Sequence, residues 1–214
     1  MTGKILFISG IDTGIGKTVA TGLYAKWLMQ QGFSVITQKM VQTGCTGFSD
    51  DILVHRKIQG IGLTEDDSDG TTCPYLFSYP CSPHMAAALE GRRIEPDTIA
   101  AATQRLAAKY DYVLLEGAGG LAVPYNETET VLDHIHRHGY PVMLVTSGRL
   151  GSINHTLLSL SACQSRNIPV HTLAYNRHRE EDAEIAENTK IYLQNHLARR
   201  FPETAFWEIA ETAV

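Results

Sequence analysis

The sequence predicts an α/β fold in which a mostly parallel central sheet carries helices on both faces. Short apolar runs of strand length alternate with longer stretches of helical period, and Gly, Pro, Asp or Asn bounds each run. The length of 214 residues, with 43% hydrophobic and 19% charged, is that of one globular domain with one core, so residues 1–214 read as a single unit.

The elements follow in order along the chain. Ile5 to Ser9 is the first strand, and Gly10 ends it. Lys17 to Gln31 is a helix that places Val19, Leu23, Trp27 and Leu28 close to one face and stops at Gly32. Ser34 to Gln38 is the second strand. Between Pro74 and Pro83 three prolines break regular structure, which predicts an ordered loop. The remaining strands are Tyr112 to Glu116, Val142 to Thr146 and Val170 to Tyr175; the remaining helices are Asp97 to Tyr110, Glu129 to His138, Ser152 to Arg166 and Glu180 to Arg200.

Composition narrows the function. A net charge of -5 leaves no basic surplus to neutralise a nucleic-acid backbone. Cys45, Cys73, Cys81 and Cys163 form no C-x-x-C pair and read as reduced thiols. No apolar run approaches the roughly 20 residues that span a bilayer, and the first residues run straight into a strand rather than a signal peptide. A cytoplasmic protein without membrane or nucleic-acid partners is expected.

Two strand ends carry chemistry. After the first strand, Gly10-Ile-Asp-Thr-Gly-Ile-Gly-Lys-Thr18 opens a helix, the setting of a P-loop NTPase-like phosphate site. Backbone N–H groups of the turn and helix end point at phosphate oxygens, Lys17 reaches the terminal phosphates, and the Thr18 hydroxyl is offered to magnesium. Ile11 stands where the usual first glycine would be, so Gly10 makes the loop one residue longer. The second signal is Tyr112-Val-Leu-Leu-Glu116 followed by Gly117-Ala-Gly-Gly120, which puts Glu116 in the crevice beyond the strand ends. Metal binding is its functional reading; a solvated strand-end acid is the plain one.

Further motifs give the chain a resemblance to the dethiobiotin synthetase family, from Lys4 to about Asn176. Its P-loop resembles the family's G-T-D-T-x-x-G-K-T, and Lys39-Met-Val-Gln-Thr-Gly44 resembles K-P-V-x-[ST]-G. Ser49-Asp50 is similar to the family's S-D, Pro74-Tyr-x-Phe77 and Ser82-Pro-His84 to its prolyl loop, Glu116 to Gly120 to its second metal motif, and Leu150-Gly-x-Ile-Asn-His155 to its interface segment. Six such matches in order are specific where one is not.

The resemblance implies an enzyme that uses ATP and Mg2+ to join CO2 to 7,8-diaminopelargonic acid, closing a ureido ring through a carbamate and a carbamic-phosphoric anhydride. It implies that Lys17, Lys39 and Thr13 are catalytic; that Gly14, Ile15, Gly16, Lys17, Thr18 and Val19 cradle the phosphates; and that Asn176 meets adenine. Thr18, Asp50 and Glu116 would surround magnesium, and Thr43, Leu150, Gly151 and Asn154 would bind substrate in a homodimer. Asp50 could instead be a helix N-terminal acid, Lys39 a solvated lysine, and Thr43 and Asn154 ordinary turn or cap residues.

Met40 and Arg149 depart from the family's proline and lysine, and the tail from Phe206 to Glu211 lacks its Pro-rich segment, which leaves base selectivity open. His134 and His138 lie four apart on a helix, but their place before Gly139 predicts a capping surface role rather than a metal site. Arg177 to Asp182 reads as a solvated charged helix start. Other functions fit less well. A P-loop switch protein of the partitioning type carries an extra lysine early in its loop, where Asp12 stands here; an amidoligase needs a glutaminase domain for which a chain ending at Val214 has no room; and a binding module without turnover would not need Lys17, Thr18, Lys39 and Glu116 together.

Overall fold

The computed structural model describes residues 2–178 and 182–210. The chain runs β1 (Lys4–Gly10), α1 (Lys17–Gln30), β2 (Val35–Lys39), β3 (Gln42–Thr43), α2 (Asp50–Gln59), α3 (Glu65–Ser68), β4 (Leu76–Phe77) and α4 (Pro83–Leu89). It continues through α5 (Pro96–Ala107), β5 (Tyr112–Gly120), α6 (Val131–His138), β6 (Val142–Ser147), α7 (Ser152–Ser165), β7 (Val170–Asn176), α8 (Ala183–Arg200) and β8 (Ala205–Ile209). Every predicted strand and helix is present within a few residues of its expected bounds. For the last helix, the expected first residues Glu180 and Glu181 lie outside the described residues, as does the Glu211 end of the tail.

Six strands form one sheet in the order β2-β5-β1-β6-β7-β8, with all five ladders parallel. The step from β1 to β2 runs one way across the sheet, and every later step between its strands runs the other. Right-handed crossovers therefore put α1 on one face and α5, α6, α7 and α8 on the opposite one. The central strands covered this way carry apolar runs: Phe7, Ile8, Val113, Leu114, Leu115, Met143, Leu144 and Val145 are all fully buried. Because all strands point the same way, the phosphate loop after β1, the Gly-rich end of β5 and the β6–α7 turn share one edge of the sheet, where ligands bind in such folds.

Several elements escaped the sequence reading. The tail's Ala205–Ile209 is the sixth strand of the sheet, and β4, inside the stretch from Pro74 to Pro83 expected to be only a loop, pairs with β3. At the edge remote from the phosphate loop, an open groove of about 1070 Å³ lies between α1 and the far strands. Tyr24, Trp27, Phe33 and Trp207 are among its lining, and the Tyr24 ring sits 5.3 Å from that of Trp27 and 5.6 Å from that of Trp207. No helix among the described residues is long and apolar enough to cross a membrane.

His134 corrects an expectation. Gly139 does cap α6 with φ 64, but His134 is fully buried, its ring 6.3 Å from that of Phe7 and 5.9 Å from that of Tyr125. Val131, His134, Ile135 and His138 recur at helical spacing, so the inner face of α6 carries His134 into the core.

Candidate active site

The phosphate loop is shaped by close approaches. A Cβ on Gly10 would lie 2.5 Å from the Ile15 side chain, which explains why glycine is needed there. Gly16, the residue before α1, has φ 98, a left-handed conformation that glycine adopts without strain, and a Cβ on it would strike the Asn176 amide at 2.2 Å. Asn176 itself donates from Nδ2 to the Ile15 carbonyl at 3.0 Å and accepts from the His178 N–H at 3.1 Å. The residue expected at adenine is thus seated on the back of the loop, where it fixes the loop's shape.

Lys17 is buried at the start of α1, and its Nζ donates to the Asp12 carbonyl at 3.0 Å. Among the described residues no carboxylate lies within ion-pairing distance of it. Burial first, then the charge of Lys39, depresses its pKa from 10.5 to about 8. A buried ammonium without an ion-pair partner among the described residues, at a glycine-rich turn that opens a helix, is a seat for an anion. Thr13 and Gly14 are exposed at the loop's mouth, while Ile15 is buried and Val19 half-buried below it. There Asp12 forms an ion pair with Arg149 from the β6–α7 turn.

Beside Lys17 lies a carboxylate cluster. Glu116 on β5 is fully buried and is the register partner of both Ile8 and Lys39. Its Oε1 lies 2.8 Å from Lys39 Nζ and 3.3 Å from the Thr18 hydroxyl. Its Oε2 lies 2.8 Å from the Thr21 hydroxyl and 2.9 Å from His55 Nε2. Burial alone would raise the carboxyl's pKa, but Lys39 and then His55 hold it well below the ordinary value. Burial likewise opposes the charge on Lys39, and Glu116 and Asp51 overcome it, raising the lysine above its usual pKa.

The expected magnesium set comes together only in part. Thr18 and Glu116 meet, but Asp50 does not join them: it is exposed in the first turn of α2, next to the Ser49 cap, where an acid favours the helix dipole. Asp51 takes the place expected of Asp50. It accepts from the Thr18 hydroxyl at 3.0 Å and forms an ion pair with Lys39. The family's S-D match therefore points one residue too early. Helix geometry carried the missing signal, because Asp51 and His55, four apart, share the face turned toward Glu116, whereas Asp50 lies about 100° around the axis. Thr21, Asp51 and His55 are the site residues that sequence reasoning missed.

Thr18, Asp51 and Glu116 offer hard oxygen atoms, the donors magnesium selects. Among the described residues no three His, Cys, Asp or Glu side chains form a self-sufficient metal site. Of the expected substrate residues, Thr43 is half-buried on β3, four residues beyond the end of β2. Leu150, Gly151 and Asn154 are exposed around the start of α7, on the same edge of the sheet as the phosphate loop.

An AAA domain family model matches residues 4–200. Among curated proteins, the chain is 62% identical to ATP-dependent dethiobiotin synthetase BioD 2 of Pasteurella multocida, with 95% of each chain covered. It is 61% identical to the BioD 2 enzyme of Haemophilus ducreyi, covering 95% of this chain and 97% of that one. The BioD enzyme of Chlorobaculum tepidum is 55% identical over 93% of this chain and 83% of its own. Among solved structures, a putative plasmid partition protein from Borrelia burgdorferi bound to AMPPNP superimposes with a TM-score of 0.57 over 99% of this chain and 88% of that one. At 17% identity that likeness shows a shared fold alone.

Proposed function

Since the chain belongs to the family of ATP-dependent dethiobiotin synthetases, we propose that it closes the ureido ring of dethiobiotin at the sheet edge occupied by Lys17, Lys39 and Glu116. The observation that carries this reading is Lys17: a buried cation with no carboxylate at ion-pairing distance among the described residues, at the end of a glycine-rich turn, asks for the phosphates of ATP.

The chemistry follows from what each group can do. One amine of 7,8-diaminopelargonic acid adds to CO2 and loses a proton, giving a carbamate. A carbamate oxygen then takes the γ-phosphoryl group of ATP and ADP departs. The second amine attacks the activated carbonyl carbon, phosphate leaves, and the ring closes. No protein nucleophile is needed; the protein's task is to position groups and balance negative charge. Lys17 and the loop amides do this at the phosphates. Lys39, at the end of β2, supplies the charge on the carbamate side. Thr18, Asp51 and Glu116 would hold Mg2+, which when bound neutralises charge on the phosphate oxygens. Thr13 belongs to the same loop, Val19 lies in the first turn of α1 that follows it, and Asn176 supports the loop from behind.

The working form is a homodimer in which the start of α7 meets a second copy. Support comes from exposed apolar side chains there: Leu150 is 85% and Leu158 63% exposed. The cytoplasm suits free Cys45, Cys73, Cys81 and Cys163 and a need for ATP. A partitioning-type switch is disfavoured by Asp12, which stands at the position of that class's extra lysine and pairs with Arg149.

The test is direct. Protein incubated with diaminopelargonic acid, bicarbonate, magnesium and ATP should yield dethiobiotin by mass spectrometry, and Lys17→Ala and Lys39→Ala should lose most turnover with unchanged circular dichroism. No product alongside an active control enzyme would overturn the reading.

A further inference from the structure

His55 lies outside every motif that carries the family resemblance, yet it is fully buried against the most buried acid of the site. Its Nε2 sits 2.9 Å from Glu116 Oε2, and its Nδ1 has no hydrogen-bond partner among the described residues. An ionised carboxylate only accepts, so Nε2 carries the proton of this hydrogen bond. The other three donors to Glu116 are shared. Thr21 has one hydroxyl proton and two acceptors, Glu116 Oε2 at 2.8 Å and the Lys17 carbonyl at 2.8 Å. Thr18 divides its proton between Glu116 Oε1 and Asp51 Oδ1. Lys39 serves Glu116, Asp51 and the Gly117 carbonyl. Among the described residues, His55 alone is committed to this carboxylate.

We infer that His55 is a positioning residue: by pinning Oε2 from the interior it turns Oε1 of Glu116 toward Thr18 and Asp51 and so preorganises the oxygen cluster for a divalent cation. A ring nitrogen that orients a ligating carboxylate from behind is a common way to tune metal sites, and losing such a partner costs about ten- to hundredfold in metal affinity. The inference rests on the magnesium reading of Thr18, Asp51 and Glu116.

The experiment measures Mn2+ binding by electron paramagnetic resonance in the presence of a non-hydrolysable ATP analogue, for wild type, Glu116→Gln, His55→Met and His55→Gln. His55→Met fills the space without a donor, and His55→Gln places an amide N–H near the position of Nε2. The expected result is Mn2+ binding weakened about tenfold or more in His55→Met, largely restored in His55→Gln, with metal-free analogue affinity unchanged in both. The magnesium concentration for half-maximal turnover should rise in step. Should His55→Met not fold, His55→Asn, whose amide is too short to reach Oε2, is expected to show the same loss. Wild-type Mn2+ affinity in the donorless variant, while Glu116→Gln loses it, would overturn the role of His55 alone. Equal loss in His55→Gln and His55→Met would do the same, since the donor would then not matter. Wild-type affinity in Glu116→Gln would overturn the metal reading and the positioning role with it.

Discussion

At the scale of single residues, the site turns on which of two adjacent aspartates faces inward. Asp51 touches Thr18 and Lys39, and Asp50 faces solvent at the first turn of α2. Asp51→Asn should therefore raise the magnesium requirement of turnover about tenfold or more, while Asp50→Asn stays within about twofold of wild type, as surface changes do. A magnesium titration of both variants checks this, and the reverse order would return the metal to Asp50. Lys17, Lys39, Thr18 and Glu116 were legible in the sequence because strand ends and glycine runs locate them by chain position alone. Asp51, Thr21 and His55 were not, because each acts through a helix face whose rotation only packing fixes.

At the scale of elements, α2 holds the site from one side with a buried ion pair. Arg56 donates to both carboxylate oxygens of Asp67, at 2.9 and 2.7 Å, and also to Thr37 of β2. Burial opposes the charge on Asp67, yet Arg56, Thr64 and Thr72 hold its pKa near about 2. Removing one partner strands the other, so Arg56→Ala should cost about 3–5 kcal/mol in urea unfolding; a loss below 1 kcal/mol by the same measurement would mean water rescues Asp67. In α6 the buried group is His134. Burial, with a smaller push from His138, depresses its pKa from 6.5 to about 3, so the folded state keeps it neutral while the unfolded chain takes up a proton below about 6.5. Its contribution is thus present above that pH and is lost progressively as pH falls toward 3, at up to about 1.4 kcal/mol per pH unit. His134→Phe should flatten the acid side of the stability profile; an unchanged slope between pH 6 and 4 would show that His134 does not set it.

At the scale of the whole molecule, parallel strands deliver every functional segment to one edge of the sheet, and that much was legible in the βαβ rhythm. The sixth strand was not, because Ala205–Ile209 is an edge strand whose exposed Ala205 and Glu208 and half-buried Phe206 and Trp207 blur the apolar run that marked the others. The proposed homodimer makes a prediction at this scale. If Asn154 completes the partner's site, mixing Lys17→Ala with Asn154→Ala subunits should rebuild one intact site per heterodimer and restore up to about half of a wild-type dimer's activity. Heterodimers that form but stay as inactive as either parent would refute a shared site. The aromatic groove has an optical consequence. The chain has two tryptophans, and both Trp27 and Trp207 line that groove, at the sheet edge where β1 starts at Lys4, whereas the phosphate loop begins where β1 ends at Gly10. At about 3.3 Å per residue the strand separates them by about 20 Å. Intrinsic emission will report on unfolding, and on anything that enters the groove, but a nucleotide titration will be nearly dark; watching ATP arrive by light requires a labelled nucleotide or a new fluorophore at the other edge.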